Sequence, residues 1–161
     1  MQNDLAAHEL NKASLKSICE IYSKSAAQTL RALSGIYQAE FTGPSWLQNV
    51  APASLRLVHF ANWWGKRFLS AQHGVNLFYD HRGLREDFPF TVRPMPSLVD
   101  GKAGLTVQYE QSAPFPWPHV IDELRFIEQD CLLGMTVVNI GVLRELPFPF
   151  LLHFRENLNG L

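Results

Sequence analysis

From Ile36 onward the apolar positions fall into short runs divided by Gly and Pro: IYQAEF, SLRLVHF, VNLFY, FPFTVR, GLTVQYE, VIDELRFIE, CLLGMTVV and FPFLLHF. They are rich in Val, Ile, Leu, Phe and Tyr and recur at roughly strand-and-turn spacing, as in a meandering antiparallel sheet. Asp100-Gly101 marks a hairpin turn. Residues 13–34 follow another period. There Leu15, Ile18, Ile21, Tyr22, Ala26, Leu30 and Leu33 recur at helical spacing with Lys and Gln between them, and Gly35 ends the pattern. A helix followed by strands without βαβ alternation predicts a mainly β fold: an antiparallel barrel of about 8–10 strands with one N-terminal α-helix. The chain is expected to be a single domain over 1–161, with the helix over 13–34 and the barrel over 36–155. Such a barrel is either filled by its own side chains or holds one small ligand. A curved α+β sheet with a helix in its mouth is the runner-up, but it asks for more helix than the pattern offers.

The run VIDELRFIE breaks the apolar regularity. Alternation puts Asp122 on one face with Leu124 and Phe126, and Glu123 and Arg125 on the other with Ile121 and Ile127. Charge therefore sits among apolar residues on both faces. An inward Asp122 needs a cation or hydroxyl, for which Arg67, Arg93, Tyr109 and His153 are the candidates. Three readings remain open: a structural ion pair, a polar anchor in a ligand cavity, or a group that moves a proton.

Composition narrows the function classes. At 161 residues, 47% hydrophobic, the chain can bury a sizeable core, and eleven Phe, four Trp and four Tyr supply shaped apolar walls. A net charge of -1 argues against nucleic acid as a partner. Cys19 and Cys131 are too few for a disulfide framework and are read as reduced thiols, which fits a cytoplasmic location. The N-terminal MQNDLAAHELNKASL has no leader pattern, and no apolar run is long enough to span a membrane. The histidines show no HxH or HExxH spacing, so no metal is expected. His153 shares strand parity with Leu151 and Pro149, and His59 with Leu55 and Leu57. Each is a candidate core histidine, with haem ligation or proton transfer as the less favoured roles. No cofactor other than that haem alternative is expected. YDHRG with its continuation LREDF reads as a solvated connection. GxSxG, GxGxxG and GxxxxGK[ST] do not occur, which counts against hydrolase and nucleotide roles. In APFPWPHV, alternating prolines predict a rigid rim loop whose Phe115 and Trp117 either gate access or fold back onto the core.

The segment Ala61-Asn62-Trp63-Trp64-Gly65-Lys66 resembles the GXWXG motif of calycin-like, lipocalin-like barrels, with Ala61 in place of the first Gly. The order WWGKRF, then VIDELRFIEQDCLLGMTVV, then LPFPFLLHF, is similar to GXWXG-type bacterial proteins, over roughly residues 57–155. The resemblance implies a barrel with an internal apolar cavity. Members bind small hydrophobic molecules, haem or lipids, and a few such barrels act as cyclases or isomerases.

The leading expectation is binding of one small hydrophobic or amphipathic molecule. Trp64, Phe90, Tyr109, Leu124, Phe126, Met135 and Phe150 are the expected walls, and Asp122, Arg125 and His153 the polar anchors. Lys66 or Arg67 would face an acidic ligand group, unless the Trp63-Trp64 cluster only plugs the barrel end. The alternative is a cofactor-independent cyclase or isomerase in which Asp122 or His153 moves a proton. A third reading is a filled barrel whose N-terminal helix mediates dimerisation.

Overall fold

The computed structural model describes residues 9–25 and 33–157. Helix α1 (Leu15–Lys24) begins where the Ser14 hydroxyl accepts the Ser17 amide at 3.1 Å, satisfying a donor that has no partner within the helix. Ile18 and Tyr22, one turn apart, are fully buried, while Lys16, Glu20 and Lys24 are exposed. The predicted extension to residue 34 is not observed where it can be read. Residues 26–32 lie outside the described ones, and Leu33 belongs to the barrel interior, just before the first strand.

Eight strands follow: β1 (Gly35–Phe41), β2 (Trp63–Phe68), β3 (His73–Asp80), β4 (Gly83–Pro96), β5 (Ala103–Tyr109), β6 (Val120–Glu128), β7 (Cys131–Val138) and β8 (Phe148–Arg155). Each pairs antiparallel with the next, and β8 pairs with β1 to close the barrel. Closure leaves no strand edge unpaired. Gly65 is required for it: a Cβ there would lie 2.0 Å from the Tyr37 carbonyl oxygen, so only glycine lets β1 run this close to β2.

Two sequence-based assignments are corrected. SLRLVHF is not a strand; its first four residues end helix α2 (Ser45–Leu57). Leu47, Ala51, Leu55 and Val58 recur at helical spacing and face the barrel mouth, while Pro52 sits on the exposed side. LREDF is not a connection either. It is the first part of the 14-residue β4, whose Arg85, Glu86 and Asp87 point to water. The Asp100-Gly101 turn is present: Gly101 has φ +72°, and the Asp100 carboxylate accepts the Lys102 amide at 3.0 Å.

The apolar residues form two cores. One fills the barrel, with Phe90, Val107, Leu124, Phe126 and Leu152 among its members. The other lies between the outer wall and α1, where Leu10, Ile18 and Tyr22 cover Leu133, Met135 and Leu151. The second core explains the outward charges of β6. Glu123 and Arg125 leave the barrel but remain 1% and 0% exposed, because α1 and the β4–β5 turn lie over them. The Glu123 carboxylate accepts the Tyr22 hydroxyl at 3.3 Å, the Ser97 hydroxyl and the Leu98 amide. Arg125 makes a bidentate pair with Asp100 at 2.6 and 2.8 Å. It also donates to the Tyr22 carbonyl at 2.9 Å, and its guanidinium lies 4.0 Å from the Tyr22 ring centre. This contact with Arg125 holds the Asp100 carboxyl down at about 2. Among the described residues no helix is long and apolar enough to cross a membrane.

Candidate functional site

Five polar side chains point into the barrel from neighbouring strands: Lys66 (β2), Asn76 (β3), Tyr109 (β5), Asp122 (β6) and Thr136 (β7). The Lys66 ammonium is fully buried. Its three donors meet Asn76 Oδ1 at 2.9 Å, the Tyr109 hydroxyl at 2.9 Å and Asp122 Oδ2 at 2.8 Å. The rings of Phe90, Tyr109 and Trp63 surround it, with centres 4.9–5.4 Å away. Tyr109 donates to Asp122 Oδ2 at 2.8 Å, and Thr136 donates to Asp122 Oδ1 at 2.6 Å. Asn76 is fixed in turn, accepting Trp63 Nε1 at 3.0 Å and donating to the Phe88 carbonyl at 2.9 Å. Burial pushes the Lys66 pKa down, against the opposing pull of Asp122. Burial together with Asp122 pushes the Tyr109 phenol well above its usual value. The pair is desolvated, with every Lys66 donor and both Asp122 oxygens hydrogen-bonded, the condition under which a buried ion pair is tolerated.

Above this network lies a cavity of about 200 Å³ between the barrel mouth and the inner side of α2. An apolar cavity of about 150 Å³ is enough to take up a benzene-sized molecule. Its walls are carbon-rich: Leu47, Leu55 and Val58 from the α2 side, Trp63, Phe150 and Val138 from the barrel, and Trp117 from the β5–β6 loop. Trp117 is held by a stack on Phe60 (centres 3.9 Å apart) and by its indole N–H, which donates to the Val58 carbonyl at 2.8 Å. The polar lining comprises Tyr109, Asp122 and Thr136 from β5, β6 and β7, Gln48 and Ser54 from α2, and Thr42 just after β1. Thr42 is 2% exposed, and its hydroxyl has no hydrogen-bond partner among the described residues. A second groove lies outside α2, edged by Asn49, Arg56 and Asn62. It shares Phe41, Leu55, Phe60 and Trp63 with the cavity, so these four side chains divide the two spaces.

Of the residues expected at a site, Tyr109, Asp122 and Phe150 line the cavity. Phe90, Leu124 and Phe126 point into the barrel but belong to the packed core. The other placements are corrected. Met135 is on the outer face beneath α1, because β7 turns Leu132, Gly134 and Thr136 inward and so Leu133 and Met135 outward. Arg125 clamps α1 and the β4–β5 turn. Arg67 faces outward and pairs with Glu86. His153 is also on the outer wall, partly exposed, with Nε2 2.8 Å from Glu40 Oε2. The apolar parity it shares with Leu151 belongs to the face under α1, not to the cavity. Trp64 is half-buried at a β-bulge and does not line the cavity.

Sequence reasoning treated Trp63 only as part of a barrel-end cluster and Lys66 only as a cation beside it, and passed over Asn76, Thr136 and Thr42. The bulge is the reason for the first. Strict alternation gives Trp63 and Lys66 opposite faces, and the extra residue between Trp63 and Gly65 turns both inward. The rim loop divides its aromatics: Trp117 packs inward, while Phe115 is 73% exposed.

No protein-family model and no curated protein matches this chain. Among solved structures, the crystal structure of a protein from Thermomonospora curvata is similar over 96% of both chains, with a TM-score of 0.67 and 16% sequence identity. At that identity the similarity concerns the fold alone.

Proposed function

We propose that this barrel binds one small, largely apolar molecule in the cavity beneath α2. The observation that carries the reading is an apolar space of about 200 Å³ with polar groups gathered at its edge, the usual composition of a ligand pocket. The residues around Trp63 and Gly65 support grouping the chain with calycin-like barrels, in which such a cavity is the common binding site. A proton-transfer role would fall to Asp122 alone, since His153 lies on the outer wall. Asp122 already accepts hydrogen bonds from Thr136 and Tyr109 and pairs with Lys66, which favours an anchor over a catalyst.

Native mass spectrometry with a panel of monocyclic apolar molecules tests the reading. Wild type is expected to take up one molecule per chain. Ala51→Phe, which projects a ring into the space, is expected to keep the fold by circular dichroism and lose uptake. Absence of uptake by wild type, or equal uptake by the variant, contradicts it.

A further inference from the structure

We infer that the cavity selects a neutral ligand carrying a hydrogen-bond donor, such as a phenol or a compact alcohol, and rejects carboxylates; this rests on the binding reading above. The hydrogen-bonding capacity left at the cavity wall sets this preference. Tyr109 donates to Asp122 and accepts from Lys66. Thr136 spends its hydrogen on Asp122 Oδ1, leaving its lone pairs as acceptors. Asp122 Oδ1 takes only that one bond of the two a carboxylate oxygen accepts in-plane. Gln48 gives both amide hydrogens away, to the Gly43 carbonyl at 2.8 Å and Asn11 Oδ1 at 2.9 Å, so its side chain can offer only the carbonyl oxygen. Ser54, also in the lining, carries an exposed hydroxyl that donates as well as accepts, and the remaining groups are acceptors.

Thr42 is the second, independent observation. Thr42 is a lining residue, and its buried hydroxyl has no partner among the described residues. Leaving such a group unpaired is costly, and a ligand that bonds to it, once the Thr42 side chain turns its hydroxyl to the cavity, removes that cost. A hydroxyl donates and accepts, so a ligand alcohol or phenol is chemically matched both to Thr42 and to the remaining acceptors.

Charge completes the selection. Among the described residues no Lys, Arg or His lines the cavity, and the nearby Lys66 has all three donors engaged by Asn76, Tyr109 and Asp122. A carboxylate ligand would enter beside the Asp122 carboxylate without a free cation. An ammonium would add a charge to a pair that is already neutral, inside an apolar enclosure.

The test compares 4-methylphenol, para-xylene and benzoate by isothermal titration calorimetry at neutral pH. The first two have the same shape and differ by the hydroxyl. 4-Methylphenol is expected to bind about tenfold more tightly than para-xylene, and benzoate not to bind measurably. Thr42→Val preserves shape; it is expected to melt at a higher temperature than wild type when unliganded and to narrow the 4-methylphenol preference to about threefold. Equal affinities for 4-methylphenol and para-xylene, or a preference for benzoate, overturn the inference while leaving the cavity reading intact. A Thr42→Val protein with an undiminished preference also overturns it. If none of the three binds, the cavity reading falls and the inference with it.

Discussion

Lys66 and Asp122 meet where each would be untenable alone. Either charge without the other would be buried uncompensated, whereas together they form a neutral, hydrogen-bonded unit with Tyr109, Asn76 and Thr136. Lys66→Met is therefore expected to cost about 3–5 kcal/mol. The double variant Lys66→Met with Asp122→Leu should recover much of that loss, because it removes the pair rather than orphaning one member. Urea unfolding of the three proteins measures both. Equal destabilisation by the single and double variants would mean that the pair does not act as a unit. The sequence showed that Asp122 shares a face with Leu124 and Phe126 and must find a partner, and it named Tyr109 among the candidates. It offered Arg67, Arg93 and His153 rather than Lys66 as the cation; the bulge at Trp64, which turns Trp63 and Lys66 to the same face, is invisible to simple alternation.

At the scale of elements, α1 is attached to the barrel by the residues that first looked out of place in β6. Arg125 reaches through its wrapping to Asp100, and Glu123 to Tyr22, Ser97 and Leu98. The Asp100 carboxyl falls from an ordinary 3.8 to about 2 in the folded protein, with the Arg125 hydrogen bonds as the main cause. Between those values the unfolded chain binds more protons than the folded one, so this contribution is complete above 3.8 and is lost as pH falls through about 2. Its size is about 2 kcal/mol. Asp100→Asn should thus be less stable than wild type at neutral pH by about that amount, with the gap closing toward pH 2, as read by thermal melts across the acid range. A gap that does not change with pH would assign the effect to packing. The sequence could show charge on both faces of β6 but not what covers the outer one, because that depends on where α1 docks. The helix α2 was hidden for another reason. Leu55 and Val58 fell inside the expected strand SLRLVHF, while Leu47 and Ala51 lay outside every expected element, so their common helical spacing went unread.

At the scale of the whole molecule, barrel closure and cavity depend on the same few places. Gly65 admits the backbone of β1, the adjacent bulge turns Trp63 inward, and α2, inserted between β1 and β2, covers the mouth. Gly65→Ala is expected to cost at least about 3 kcal/mol, since its Cβ would strike backbone rather than a movable side chain. A variant that unfolds in urea like wild type would show that the crossing can widen freely. The mainly β barrel was legible from the run of short apolar segments and the Asp100-Gly101 turn, because those features are local. The cavity was not, because Thr42, Trp117 and Thr136 come from three separate stretches that only closure brings together. The most direct test of a ligand cavity under α2 is a methyl NMR titration with 4-methylphenol. Saturable shifts are predicted at Leu47, Leu55, Val120 and Val138, which line the cavity, with Leu133, Leu151 and Met135 under α1 unmoved. Shifts centred on the α1 group, or none at either, would contradict the account.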